Sequence, residues 1–579
     1  MVDATGSDIS DKELMTHALG RLSMSDLNTG QAVKHGSEFV NEYPRKDQDG
    51  HDFAGTIDDP NIWLASFPTL FPYGMGGIET ARDRRVSLSL HVKWALEYHD
   101  RRFRNHLQFM FQAFGILQKR QIARSTSLQI TRKDFMAQEN AIRALKPSDF
   151  LDAAKEEARN IPFTNRTIQQ LRKHVSTIRA KVMGTDESRV KIRSQIWSTT
   201  AMFGPPSLWI TINPSDTNDP IAQVFAGCDI DLDNFMNSDG PRQDTRAATI
   251  ASDPYAASEF FHFIIQAVLE ELMGIQGHSP YKSGIECKPG IFGRVSHYIG
   301  TVEVQGRGTL HFHMVVWLEG APTAERMKDL LKSESFRSRV VNFIKTNIKA
   351  DVEGLTTSKI MELPCIKEVS YSRPIDPRQS TYARNKSSSE AQLVRALQIH
   401  RCTKEACLVL KKNGYRCKRN APFEMSMKDY INTDGVWGPQ RTYGFINNWN
   451  PTIMQCMRCN HDIKLITNGT ETKDISWYIT NYVAKKQRES SNVSALFAKR
   501  IAYHRKEERY NSDLTQLNKR LMQRCANTLS REQEFSSPEV AAYLAGHGDR
   551  KLSGFYITIN LAAIAARIGK AFPYLKKKR

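Results

Sequence analysis

Long apolar runs are missing from this chain of 579 residues. No stretch approaches the roughly 18–20 apolar residues needed to cross a bilayer, which excludes a membrane-spanning helix. The segment Met1 to Ser10 lacks the basic start and apolar stretch of a secretory signal, so a soluble, unsecreted protein is expected. Cysteine is scarce. Nine cysteines are too few for a disulfide scaffold in a chain of this length, and any that cluster read as metal ligands. The phosphate-binding pattern G-x-x-x-x-G-K-[ST] is also absent, because Gly569-Lys570 is followed by Ala571 and has no glycine upstream in register. P-loop nucleotide hydrolysis is therefore not expected of these residues. Acidic side chains are outnumbered, 62 Asp and Glu against 81 Lys and Arg, for a formal net charge of +19. Polyanions are the natural partners of such a chain, with nucleic acid first among them.

No internal repeat or low-complexity block divides the chain, but its patterning changes along its length. Residues 1–55 are polar and lack periodicity, which reads as a mobile leader. The stretch Ile62 to Gly77 is aromatic and interrupted by Pro68, Pro72 and glycines, which predicts a packed loop. Within 56–200 the pattern becomes mainly helical from about Leu88. Arg101, Arg102 and Arg104 stand among aromatic residues there, as phosphate contacts or as a solvated face. A β-like run, Ser207 to Asp216, opens a core that extends over 201–487. The run Tyr255 to Gly274 predicts a helix with Gly274 at its C-terminus. Two strands follow, joined at Gln305-Gly306-Arg307-Gly308. Residues 488–579 are basic and helical to about Arg531, then mixed. Strands separated by helices, with antiparallel pairing at the hairpin, predict an α+β fold.

The second strand of that hairpin carries two histidines in an apolar run, "TLHFHMVVWLEG". A period of two places His311, His313, Val315 and Trp317 on one face, and Leu310, Phe312, Met314, Val316 and Leu318 on the other. Side chains two apart on a strand start roughly 6.5–7 Å from each other at Cα, a spacing from which two imidazoles can reach one divalent cation. The pair can equally be two satisfied, half-buried histidines. Farther on, "DISWYITNYVAKKQ" predicts a helix with Tyr478 and Tyr482 one turn apart on one face. Such a pair is ordinarily packing. Beside a bound cation, however, a tyrosine hydroxyl can attack a phosphodiester, with Lys485 as a neighbouring charge to favour the phenolate and Lys486 to hold phosphate. Finally, His400, Cys402, Cys407 and Cys417 place four soft ligands within eighteen residues, which suits tetrahedral zinc. Scattered buried cysteines are the alternative. Cys456, Cys459 and His461 form a weaker group that Cys365 would have to complete.

The order "LWITINP", "EVQGRGTLHFH", "WYITNYVAKK" resembles the three motifs of the two-tyrosine HUH rolling-circle endonucleases. With "FPTLFPYG", "RRFRNH", "NPSD" and "CNHDI" in the same order, the chain is similar to the replication-initiator region of Helitron transposases, from about Phe67 to past Gly548. The resemblance implies an HUH-type antiparallel sheet with flanking helices and helical N- and C-terminal extensions. It implies His311 and His313 as ligands of catalytic Mg²⁺ or Mn²⁺, and Tyr478 and Tyr482 as nucleophiles. The third ligand is expected at Gln305, with Glu303 next in order, because such a cation takes oxygen donors. A lysine often precedes the second tyrosine in the family, where this chain has Asn481. A His/Cys cluster at the place of His400 to Cys417 is similar to the family as well, as structural zinc.

The expected activity is metal-dependent endonuclease and strand-transfer chemistry on single-stranded DNA through a covalent phosphotyrosine, as in rolling-circle transposition. The alternative is a catalytically inactive DNA-binding remnant of a transposon protein. A small-molecule hydrolase built on His-x-His would leave the +19 charge and the tyrosine pair unused. Related transposases continue into a helicase, so a helicase domain encoded elsewhere or lost is the expected partner besides DNA. The basic run Tyr574 to Arg579 predicts a nuclear location.

Overall fold

The computed structural model describes residues 62–467, 492–505, 514–557 and 564–572, leaving aside 79, 81–83, 85, 237, 279–284, 306–307, 367, 369–370, 405–406, 412–413, 565–566 and 569. The leader 1–55, the tyrosine helix and the basic C-terminal run lie outside the described residues.

At the centre is an antiparallel five-stranded sheet. Its strands are β1 (Leu208–Asn213), β2 (Val295–Val304), β3 (Leu310–Leu318), β4 (Asn460–Leu465) and β5 (Arg550–Leu552), in the spatial order β4-β1-β3-β2-β5. The fold is α+β. β2 and β3 form the expected hairpin, in register Glu303↔His311 and Thr301↔His313. Its turn is closed by Gln305, whose N–H donates to Thr309 O at 3.0 Å and whose carbonyl accepts from Gly308 N at 2.7 Å. Gly308 adopts φ 81°, a conformation that costs glycine least.

β3 is buried on both faces, because helices cover the sheet from both sides. On one side Leu310, Phe312, Met314 and Val316 meet Phe261, Ile265, Val268 and Leu269. These come from the expected helix, α4 (Pro254–Ala267), and from one wider turn that continues it, Val268–Leu272. Asp253 caps α4 by accepting from Ala256 N at 3.0 Å, and Pro254 occupies the first turn, where its missing N–H costs nothing. On the other side, Trp209, Ile299, Val315 and Trp317 pack against Ile192 and Ile196 of α3 (Asp186–Phe203). Burial of one side chain such as Phe312 contributes about 1.5–3 kcal/mol. The alternation read from the sequence therefore separates two cores rather than a core and a wet face.

Two features depart from expectation. Ile62–Ser66 is a short helix rather than loop, because Trp63 and Phe67, one turn apart, both pack on Phe109 with ring centroids 5.6 Å away. Pro68 follows at once. Phe109 belongs to α1 (Leu107–Ile130). The C-terminal helices are also not an appendage. α5 (Val493–Arg505) and α6 (Leu514–Arg531) share a core with α1 and α2 (Arg166–Arg179). α7 (Ser537–Ala545) packs against the Trp63–Phe109 cluster, and β5 completes the sheet by pairing Lys551 with Gly300.

Candidate nuclease centre in the sheet and a histidine-cysteine cluster

His311 and His313 point to the same face of β3, beside the carboxylate of Glu303 on β2. Both are almost fully buried. His311 Nδ1 meets Asn213 Oδ1 at the end of β1, so the ring carries its proton on Nδ1 and directs the Nε2 lone pair toward Thr309 Oγ1, 3.3 Å away. The Asn213 amide is itself held, its Nδ2 donating to Asn460 Oδ1 at 2.6 Å. Burial and the neighbouring His313 push His311 down to about 4, which keeps the imidazole neutral and free to ligate at neutral pH. His313 lies between two oxygens. Its Nδ1 is 3.0 Å from Thr211 Oγ1, its Nε2 is 3.0 Å from Glu303 Oε2, and its ring stacks on Trp209 at 5.5 Å.

Two imidazoles and a carboxylate are a donor set that a divalent cation such as Mn²⁺ accepts. Neighbouring ligands of an octahedral cation with bonds of about 2.1 Å lie about 3 Å apart, and His313 Nε2 and Glu303 Oε2 are separated by that distance. His313 and Glu303 thus stand at the spacing of two ligands of one ion, while the ligand atoms of His311, His313 and Glu303 do not all lie within 4.8 Å of one another, so His311 would have to draw in for all three to reach it. Gln305, expected as third ligand, is exposed where the turn begins, whereas Glu303 faces the histidine pair. Asn213, Thr211 and Trp209 went unrecognised in the sequence reading of this centre. The signal for Asn213 was an amide at the end of an apolar strand, directly before proline.

The cysteine cluster forms as expected. The ligand atoms of His400, Cys402, Cys407 and Cys417 lie within 4.8 Å of one another, the one such group of three or more His, Cys, Asp or Glu found among the described residues. Cys407 Sγ and Cys417 Sγ approach His400 Nε2 to 3.4 and 3.3 Å. The four could hold a metal ion. Burial works against the Cys417 thiolate, but the N–H groups of Ala421 and Arg419 aimed at the sulfur outweigh it, and the thiol is shifted down. Cys459 and His461 serve the interior instead. Cys459 joins the core under the sheet, and His461 Nε2 accepts from Asn450 N at 2.8 Å.

Of the three arginines considered as phosphate contacts, Arg104 is buried, with Nη2 2.6 Å from Asp253. Removing one partner of such a pair costs about 3–5 kcal/mol, so Arg104 ties its loop to the start of α4 and is not a surface contact. Arg101 donates to Ala226 O at 2.5 Å. Arg102 stays partly exposed over the Tyr98 ring, 5.0 Å from its centroid. Tyr478, Tyr482, Lys485 and Lys486 lie outside the described residues.

Residues 91–316 match a family model described as the Helitron helicase-like domain at the N-terminus. The matched span takes in Asn213, Glu303, His311 and His313 and ends within β3; the histidine-cysteine cluster lies beyond it. No curated protein matches the chain.

Proposed function

We propose, from the match of residues 91–316 to the Helitron helicase-like domain, that this protein is transposon-related and acts as a single-stranded DNA endonuclease and strand transferase. The observation that carries the proposal is the convergence of His311, His313 and Glu303 on one face of the central sheet, with Asn213 setting the His311 tautomer. Those residues would hold Mg²⁺ or Mn²⁺, which when bound supplies Lewis-acid polarisation of a phosphate oxygen. His400, Cys402, Cys407 and Cys417 would hold zinc in a structural role.

Tyr478 or Tyr482 is the nucleophile. Its hydroxyl oxygen bonds to phosphorus as the phosphorus–oxygen bond of the DNA breaks. The tyrosine proton leaves, and the departing sugar oxygen becomes a hydroxyl. Lys485 lowers the cost of the phenolate by its charge. One DNA end then remains on the protein as a phosphotyrosine ester, and attack by another DNA hydroxyl reverses the step and joins strands. Two tyrosines permit two such exchanges.

The test is to mix the protein with end-labelled single-stranded oligonucleotides and Mn²⁺ and look for a protein–DNA adduct that survives denaturation. The expected result is an adduct with the native chain and none with Tyr478→Phe/Tyr482→Phe. An adduct of equal yield from that double variant overturns the assignment, and no adduct from the native chain under any divalent cation leaves DNA binding without cleavage.

A further inference from the structure

The proposed cleavage makes no use of the segment that the histidine-cysteine cluster ties down. From Arg401 to Arg419 the chain has seven Lys and Arg against one acidic residue, Glu405, which concentrates about a third of the net charge in one short segment. Within it, Leu408–Lys411 and Gly414–Cys417 form an antiparallel hairpin in register Leu410↔Tyr415 and Val409↔Arg416. A lone two-stranded hairpin is marginal in water. This one is clamped at its base, where Cys407 and Cys417 meet His400.

Away from the clamp the hairpin is exposed on both faces. Leu410 is 72% and Tyr415 56% exposed on one face, and Arg416 is exposed on the other. Lys404 Nζ lies 5.2 Å from the centre of the Tyr415 ring. Lys418 and Arg419 are exposed just past the clamp. The segment that leads into the clamp adjoins the sheet site: Asn460 Nδ2 donates to Leu397 O at 2.7 Å, and Asn460 Oδ1 accepts from the Asn213 amide that holds His311.

A core-less arm that displays an aromatic ring among cations suits a ligand with flat apolar faces and regularly spaced negative charge. Single-stranded DNA offers both, whereas a duplex hides its base faces in the stack. We infer that the clamped hairpin is a single-strand-binding arm, in which Tyr415 stacks on a base beside Leu410 while Lys404, Arg416 and Lys418 hold phosphates of the strand entering the His311 and His313 site. This rests on the proposed single-stranded substrate. In this arrangement the cluster serves DNA capture by giving the hairpin one fixed position.

The test compares full-length variants for binding of a fluorescent single-stranded 20-nucleotide probe by anisotropy at fixed salt, with bound metal per chain measured for each. Tyr415→Ala should weaken binding about five- to tenfold, and Tyr415→Trp should restore it. Arg416→Glu/Lys418→Glu should reduce the salt dependence by the equivalent of about two phosphate contacts. Native affinity in both Tyr415→Ala and the charge-reversed pair, with metal retained, overturns the arm and leaves the hairpin for a protein partner; should the charge-reversed pair lose its metal, Tyr415→Ala alone decides. If the native chain forms no covalent adduct yet Tyr415→Ala still loses affinity, the cleavage proposal fails and the arm stands. If adduct forms and both variants bind normally with metal retained, the reverse holds.

Discussion

The sheet site and the histidine-cysteine cluster gather their groups by opposite means. Asn213, Glu303, His311 and His313 come from three strands and are brought together by strand register under two hydrophobic cores. His400, Cys402, Cys407 and Cys417 come from one short segment whose hairpin is largely exposed. The first arrangement is paid for by the fold and exists before any ion arrives. The second gathers four soft ligands beside an exposed hairpin, so a metal bound there would couple to local folding.

The largest effect expected from breaking this contrast is catalytic. His311→Ala/His313→Ala should reduce adduct formation on the order of a hundredfold or more. It should leave cluster metal content and most DNA affinity in place, since Lys and Arg contacts carry sequence-independent binding. Asn213→Ala should act in the same direction through the tautomer, raising the Mn²⁺ concentration needed for half-maximal adduct about 10–100-fold. Wild-type Mn²⁺ dependence in that variant would show that Asn213 Oδ1 does not orient His311.

A smaller effect is expected from the cluster. Chelation, or Cys407→Ser, should lower the melting temperature by about 2–5 °C, because an ion bound only by the folded state stabilises it. Amide exchange should accelerate in residues 399–419 and not in β1 or β3. Uniform acceleration across the sheet would mean that the cluster supports the whole core, and the contrast would collapse.

One pH effect should belong to neither region. His262 on α4 is buried beneath His547, its ring stacked on that imidazole at 4.2 Å, and neither of its nitrogens has a hydrogen-bond partner. Burial, then the charges of His547 and Lys551, push it down to about 2 from an ordinary 6.5. The folded state therefore binds fewer protons than the unfolded state below pH 6.5. The associated stability is complete above that pH and is lost as pH falls toward the folded value, by up to about 1.4 kcal/mol per pH unit. Denaturant titrations of His262→Phe from pH 7 to 4 should show a shallower acid slope than the native chain. An unchanged slope would assign the acid sensitivity to other groups.

Local pattern made much of the centre legible. Alternation along β3 put both histidines on one face, a glycine-containing turn marked the hairpin, and the spacing from His400 to Cys417 announced a metal cluster. Each signal is written within about twenty residues, where pleat, turn geometry and ligand reach are set by the backbone itself.

Other features depended on turn placement and on partners brought in by packing. Glu303 rather than Gln305 faces the histidines, because the strand ends at Val304 and the residue after it enters the turn. Arg104 looked like a surface cation until α4 brought Asp253 beneath it, and Ile62–Ser66 became helical because Phe109 was there to receive Trp63 and Phe67. By itself, then, the sequence determined the α+β class, the histidine face of β3 and the cysteine cluster, since periodicity and short spacing are local properties. Only the tertiary structure decided which oxygen faces the histidine pair, which arginine is buried, and that a strand near the C-terminus closes the sheet. The last two depend on what residues far apart in the sequence present to one another, and the first on where the hairpin's turn begins; burial, charge pairing and register act on those encounters rather than on the chain's order.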